Sequence, residues 1–256
     1  MAATPRTRLD VLITERGLVA SRERARAVIL AGRVRVEGVA VSKAGAPVRV
    51  DAHVDIEGSD MPWVGRGGLK LVHALDAFHV DPSGCEALDI GASTGGFTDV
   101  LLSRGAIRVV ALDVGHSQLD WKIRTDPRVV VVEHRNAREL VPDWLPAPVD
   151  IVTIDVSFIS LRLILPAVPA VLNPGGHVVA LVKPQFEAGR EQVGRGGLVL
   201  DTAVHDEVLA RVTEAAAACG LNRLGLTPSP ITGATGNQEY FLHLRPAPSR
   251  ATFNRP

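Results

Sequence analysis

From residue 64 onward, short apolar runs alternate with stretches that carry apolar residues at helical spacing. Residues 87–90 form an apolar run ending at Gly91, and 97–102 follow with a helical pattern. Further strands are expected over 109–114, 129–132 and 151–154, and an apolar helix over 158–172. The turn Asn173-Pro174-Gly175-Gly176 leads into a fifth strand at 177–182. A helix over 203–218 ends near Gly220, and strands at 224–226 and 240–244 close the sheet. Repeated strand–helix units predict an α/β, Rossmann-like parallel sheet covered on both faces. Such sheets bind ligands outside the carboxyl ends of their strands, where strand order switches.

The first sixty residues read differently. Leu9, Leu12 and Ile13 recur at helical spacing and Gly17 ends that helix. Ser21 is an N-cap for a second helix whose stripe is Ala25, Val28 and Ile29, closed by Gly32. Val34 and Val36, then Val39 and Val41, alternate with polar residues around Gly38, which predicts a hairpin. Residues 1–60 are therefore expected to form a small α+β unit, 61–65 a linker, 66–247 the large unit and 248–256 a flexible tail. Trp63 is expected to pack against a neighbour.

Charge sharpens this division. The chain is neutral, with 28 basic and 28 acidic side chains, yet residues 1–50 hold ten basic and only four acidic ones. A basic unit on a neutral protein suggests a footprint on a polyanion. Arg8, Arg22, Arg26, Arg33 and Arg35, with Arg66 beyond the linker, are candidate phosphate contacts, because guanidinium forks suit phosphate oxygens. Two cysteines make no disulfide framework, no signal peptide is visible, and the apolar stretches are too short to span a bilayer. A soluble, cytoplasmic protein is expected, with no metal and no membrane partner.

Candidate chemistry lies at the strand ends. The first strand of the large unit runs into Asp89-Ile90-Gly91-Ala92-Ser93-Thr94-Gly95-Gly96-Phe97, a loop whose glycines let backbone approach a ligand and whose following helix offers free amides. Asp113 ends the second strand, placed to accept from the ribose hydroxyls of an adenine nucleoside, and Asn136 follows the third, placed to face the adenine edge. These features fit NAD and S-adenosylmethionine (SAM) alike. Ser93 replaces the second glycine of G-x-G-x-x-G, which favours SAM, a cofactor without phosphates.

Asp155 ends the fourth strand and Lys183 the fifth; Glu239 precedes the last strand, and Lys70 opens a helix after Gly67-Gly68. Charges at the rim of a buried sheet are expensive unless paired or used. Two lysines and two carboxylates converging there suit proton removal from a poor hydroxyl nucleophile. Burial and a second lysine would lower one lysine from its ordinary pKa of about 10.4 and make it a base.

Arg8-Leu9-Asp10, Gly17, Ser21-Arg22, Ala25, Ile29, Gly32-Arg33-Val34 and Val36-Glu37-Gly38 resemble the S-four-type RNA-binding domain, over about residues 7–55. Lys70, Asp155, Lys183 and Glu239 stand in the motif contexts of the Lys-Asp-Lys-Glu tetrad of FtsJ-like ribose 2′-O-methyltransferases. The whole chain is similar to the TlyA family, which joins these two domains. The similarity rests on Arg66-Gly67-Gly68-Leu69-Lys70, the 89–98 loop, Asp155-Val156-Ser157-Phe158-Ile159-Ser160-Leu161, Val182-Lys183-Pro184-Gln185-Phe186-Glu187 and Gly236-Asn237-Gln238-Glu239-Tyr240-Phe241. The resemblance implies SAM-dependent methylation of cytidine 2′-hydroxyls in ribosomal RNA, with ribosomal subunits as partners. It implies Lys183 as base, Lys70 as a residue that places the hydroxyl, and Asp155 as shared between catalytic and cofactor roles. Family members are often called haemolysins, but the sequence carries no pore-forming pattern. A non-catalytic ribosome-binding factor and a membrane-active haemolysin are the alternatives.

Overall fold

The computed structural model describes residues 5–19, 21–56 and 62–247. Its N-terminal part has two small sheets against two helices. β1 (Arg6–Arg8) pairs antiparallel with β4 (Pro47–Arg49), and β2 (Val34–Val36) lies between β3 (Val39–Ala40) and β5 (Val54–Ile56). The expected helices are α1 (Leu9–Glu15) and α2 (Arg22–Leu30), the second capped by the Ser21 hydroxyl, which accepts from the Arg24 amide at 3.2 Å. Leu9, Ile13, Val28, Ile29 and Val34 form their core. The β2–β3 hairpin turns on Glu37 and Gly38, both at positive φ as a tight two-residue loop requires. β1, β4 and β5 are too short to announce themselves; β5 falls where the composition suggested the approach to a linker.

The large part is a seven-stranded sheet in the order β11-β12-β10-β9-β6-β7-β8. Its strands are β6 (Glu86–Ile90), β7 (Arg108–Leu112), β8 (Val129–Val132), β9 (Val149–Ile154), β10 (Leu172–Val182), β11 (Leu221–Pro228) and β12 (Tyr240–Pro246). β12 runs antiparallel between β10 and β11, and the other pairings are parallel. Alternate residues feed two cores. Leu88, Ile90, Val110, Val152 and Ile154 pack under α7 (Thr202–Ala218), while Ala87, Val109, Ala111, Ile151 and Val179 pack under α3 (Gly67–Phe78) and α4 (Gly96–Ser103). Each fully buried large aliphatic side chain contributes roughly 1.5–3 kcal/mol. Trp63 joins the second core, as expected, against Gly68.

The helix expected over 158–172 is not an α-helix. The chain turns through 155–160 and continues as 3₁₀ segments, Leu161–Leu163 and Leu165–Ala170. Pro166 and Pro169 lack the amides an α-helix needs, so the apolar pattern is buried without i→i−4 bonds. The second strand ends at Leu112, two residues early, because Asp113 turns to bind loop amides. The fifth begins early, at Leu172, with an irregularity at the Asn173–Gly176 turn. A short helix, α5 (Trp121–Arg124), precedes β8, and another, α6 (Pro184–Glu187), follows β10.

β6 pairs with β7 on one side and β9 on the other. The chain reverses direction across the sheet there, which makes the carboxyl ends of β6 and β9 the expected ligand site.

Candidate active site

Four charged side chains arrive at this edge from four elements. Lys70 comes from the first turn of α3, Asp155 follows β9, Lys183 follows β10, and Glu239 immediately precedes β12. They form two ion pairs rather than one cluster. Lys70 Nζ donates to Glu239 Oε2 at 2.5 Å, with side chains only 7% and 3% exposed. Lys183 Nζ lies 2.7 Å from Asp155 Oδ1, with 11% and 21% exposed, and donates to Ser157 Oγ at 2.9 Å. The sequence suggested one lysine acting on the other; the geometry gives each lysine its own carboxylate. Gly233 backs the first pair closely, because a Cβ there would run into the Glu239 carboxylate.

The glycine loop sits against Asp155. Gly91 has φ +84°, and a Cβ on it would stand 2.5 Å from the Asp155 carbonyl oxygen, so only glycine lets the β6 and β9 ends approach. Asp155 N donates to Ile90 O at 2.9 Å, fixing this contact. Asp113 accepts from the Ser93 amide through Oδ2 at 2.8 Å and from the Gly115 amide through Oδ1 at 2.7 Å. Each oxygen keeps a further lone pair for a ligand hydroxyl. Asn136 uses Oδ1 to cap the Arg138 amide at 3.1 Å.

Two cavities meet at Asp155. One, of about 400 Å³, is lined by Lys70, Lys183, Glu239, Phe97 and the loop from Gly91 to Thr94, with Arg66 at its wall. The other, of about 390 Å³, is lined by Asp113, Asn136 and Arg135, with Ile90 and Leu112 beneath. Gly91, Ser93, Asp155, Ser157 and Phe158 line both. The second has the donor set an adenosine needs: an apolar floor, a carboxylate for ribose and an amide at the far wall. These residues fit SAM.

Two residues of the expected cofactor set line neither cavity. Asp89 is fully buried under the loop, where Thr98 Oγ1 and Thr153 Oγ1 donate to it at 2.7 and 2.9 Å. Burial, with no cation beside it, raises its pKa to about 7. Gly95 is at φ +94° as the N-cap of α4, packed on Leu119 and Ile123. Both shape the loop from behind. Gly96 and Phe97 line the first cavity.

The candidate RNA arginines fall into groups. Arg8, Arg22 and Arg26 all point at Asp10, a buried carboxylate not singled out from the sequence. Arg35 donates to Gly38 O at 3.5 Å, and Arg33 stands at the exit of α2. Arg66 Nη1 donates to Arg16 O at 3.1 Å, which ties the cavity wall to the N-terminal part.

Three other residues stand in the quoted motif runs but were given no role from the sequence. Phe158, 91% exposed at φ +63°, overhangs both cavities and touches Phe186 at a ring separation of 4.9 Å. Glu187, buried after Lys183, accepts from Ser160 Oγ and the Leu161 amide, both at 2.6 Å, and so ties the Lys183 loop to the Asp155 loop. Burial raises its pKa. Asn237, buried, bonds Val199 N, Gly197 O and Thr235 Oγ1, and holds the loop that carries Glu239. Their only sequence signal was their place in those runs.

A nucleoside cradle joined to a lysine–carboxylate pair at a sheet switch point defines a group-transfer site of the methyltransferase type. Residues 63–246 match the FtsJ-like methyltransferase family and residues 7–54 match the S4 domain. The chain is 47% identical over 247 residues to the 16S/23S rRNA (cytidine-2′-O)-methyltransferase TlyA of Mycobacterium tuberculosis, covering 96% of this chain and 92% of that one. It is 40% identical over 240 residues to Hemolysin A of Brachyspira hyodysenteriae, covering 92% and 98%. A solved structure from Streptococcus thermophilus, provisionally named a hemolysin, superposes with a TM-score of 0.76 at 46% identity, covering 96% of this chain and 90% of that one. The chain belongs to the FtsJ-like methyltransferases and, among them, to the TlyA family.

Proposed function

We propose that this protein transfers a methyl group from SAM to the 2′-hydroxyl of cytidine in ribosomal RNA, on ribosomal subunits in the cytoplasm. The observation that carries the reading is the Lys183–Asp155 pair, open to the cavity beside the nucleoside cradle. Residues 1–60 serve as the RNA-binding unit, 61–65 as the link, and 66–247 as the catalytic unit. Arg8, Arg22, Arg26, Arg33, Arg35 and Arg66 are its phosphate contacts.

When bound, SAM would supply an electrophilic methyl on its sulfonium, with the neutral thioether as leaving group when the methyl–sulfur bond breaks. Asp113 and Asn136 hold its nucleoside end, and the 91–94 backbone with Asp155 holds the remainder. Lys183 meets the ribose 2′-hydroxyl. As an ammonium it orients the oxygen by donation, and as a free amine it takes the proton as the carbon–oxygen bond forms. Asp155 and Ser157 fix the lysine while it does so. Lys70, paired with the buried Glu239, lines the same cavity as Lys183 and helps place the hydroxyl there. Phe158 offers an exposed aromatic face on which the target base stacks, leaving its ribose over Lys183. The remaining rate comes from alignment of oxygen and methyl in a confined cleft.

The test is transfer of labelled methyl from SAM to purified subunits lacking the modification, with Lys183→Ala beside the wild type. Alkali-resistant label in ribosomal RNA, lost in the variant, is the expected result. SAM binding without transfer to either subunit would break the substrate assignment, and no SAM binding would favour a non-catalytic ribosome-binding factor. No described helix is long and apolar enough to cross a membrane.

A further inference from the structure

Asp10 is the one fully buried carboxylate of the N-terminal part among the described residues, and three arginines from two elements close on it. Arg8 gives it a bidentate edge, Nε to Oδ1 at 2.9 Å and Nη2 to Oδ2 at 3.0 Å. Arg22 Nη2 and Arg26 Nε, one turn apart on α2, reach Oδ2 at 3.3 and 3.4 Å. The Val11 amide completes the set at 3.1 Å. Each arginine side chain is nonetheless more than half exposed. A guanidinium has five N–H donors, and here one or two from each are spent inward, so the others face solvent.

This arrangement is unusual for a structural ion pair, in which one cation answers one buried anion. Three cations on one carboxylate leave an outward excess of positive charge at fixed spacing. The arginine contacts also hold the Asp10 carboxyl well below the usual carboxylate range, so it stays an anion at working pH. An arginine side chain loses much rotamer freedom when it is held, a cost that a phosphate would otherwise have to overcome at each contact.

We infer that Asp10 is a positioning residue for RNA: it gathers Arg8, Arg22 and Arg26 into a fixed triad whose outer edges receive backbone phosphates. The inference rests on the RNA-binding reading of the N-terminal part given above. It makes a prediction opposite in sign to simple electrostatics. Removing a negative charge from a basic patch strengthens phosphate binding if charge alone matters. If Asp10 orders the triad, the same change weakens it.

The experiment uses the full-length protein with Asp10→Asn and purified ribosomal subunits lacking the methyl groups as probe, with dissociation constants measured across a series of KCl concentrations. The expected result is about tenfold weaker binding and a salt slope reduced by about one released ion. SAM affinity and the turnover rate at saturating subunit should match the wild type, so the loss appears in KM and not in kcat. A double-mutant cycle separates positioning from folding: in an Arg22→Ala, Arg26→Ala background, where only Arg8 remains to be positioned, Asp10→Asn should cost clearly less than in the wild type. Unchanged or tighter binding, or full additivity in that cycle, would overturn the inference. If Asp10→Asn does not fold, the same cycle run with Asp10→Glu decides between the same two outcomes. A wild type that holds no RNA would instead overturn the RNA-binding reading along with the inference.

Discussion

The two ion pairs at the sheet edge use the same chemistry in different settings. All four side chains line the first cavity, but Lys70 and Glu239 are only 7% and 3% exposed, whereas Lys183 and Asp155 are 11% and 21% exposed and the lysine has Ser157 as a second partner. A more deeply buried pair is costly to separate, which suits a fixed scaffold. A pair that opens further onto the cavity, and whose lysine already has a second partner in Ser157, can give way to an incoming hydroxyl, which suits a group that meets the substrate. Sequence motifs list four equivalent charges; burial divides them into a more buried pair and a more accessible one.

The largest expected effect is on the more accessible pair. Lys183→Ala should lower kcat by about 10²–10⁴-fold, the usual worth of a positioned general base, with SAM binding retained. On the more buried pair the expected loss is stability first. Glu239→Ala leaves Lys70 buried without a counter-charge and should cost about 3–5 kcal/mol, read from urea unfolding midpoints. If Lys183→Ala destabilised the fold by that much while Glu239→Ala did not, the division would be reversed.

A third buried carboxylate provides a smaller test. Asp89 is buried like Glu239 but has hydroxyl partners and no cation. Its pKa rises from 3.8 to about 7 on folding, so the folded state holds the proton more tightly. The stability this confers is complete below about pH 4 and is lost as pH rises through about 7. Asp89→Asn should flatten the dependence of Tm on pH in that window. An unchanged slope would show that another group titrates there. The smallest effect is expected at the cavity mouth: Phe158→Ala should raise KM for RNA roughly fivefold or more, the worth of about 1 kcal/mol of stacking, with little change in kcat.

Much of the fold and of the candidate site was legible in the sequence because the parallel strands end where the candidate charges stand. Asp155 and Lys183 each follow an apolar run, and the backbone has few ways to exit such a strand except at the sheet edge. Gly91 is fixed by its own motif and by the approach of Asp155. What was not legible depended on contacts between distant segments. The pairing of Lys70 with Glu239 spans 169 residues and follows from the placement of β12. Asp10 reads as an ordinary helix N-terminal acid until α2 delivers two arginines to it. The 158–172 segment shows the converse: its apolar pattern was seen correctly, but two prolines overrode the helix that pattern implied.

The central claim is that Lys183 carries a proton and not merely a charge. Its most direct test is the single-turnover methylation rate of Lys183→Arg on unmethylated subunits. Arginine keeps the cation but does not give up its proton in a protein. The expected rate is at least about 100-fold below wild type, with SAM and subunit binding intact. A rate within about threefold of wild type would contradict the claim, and would mean that the more accessible pair, like the more buried one, serves only as fixed charge.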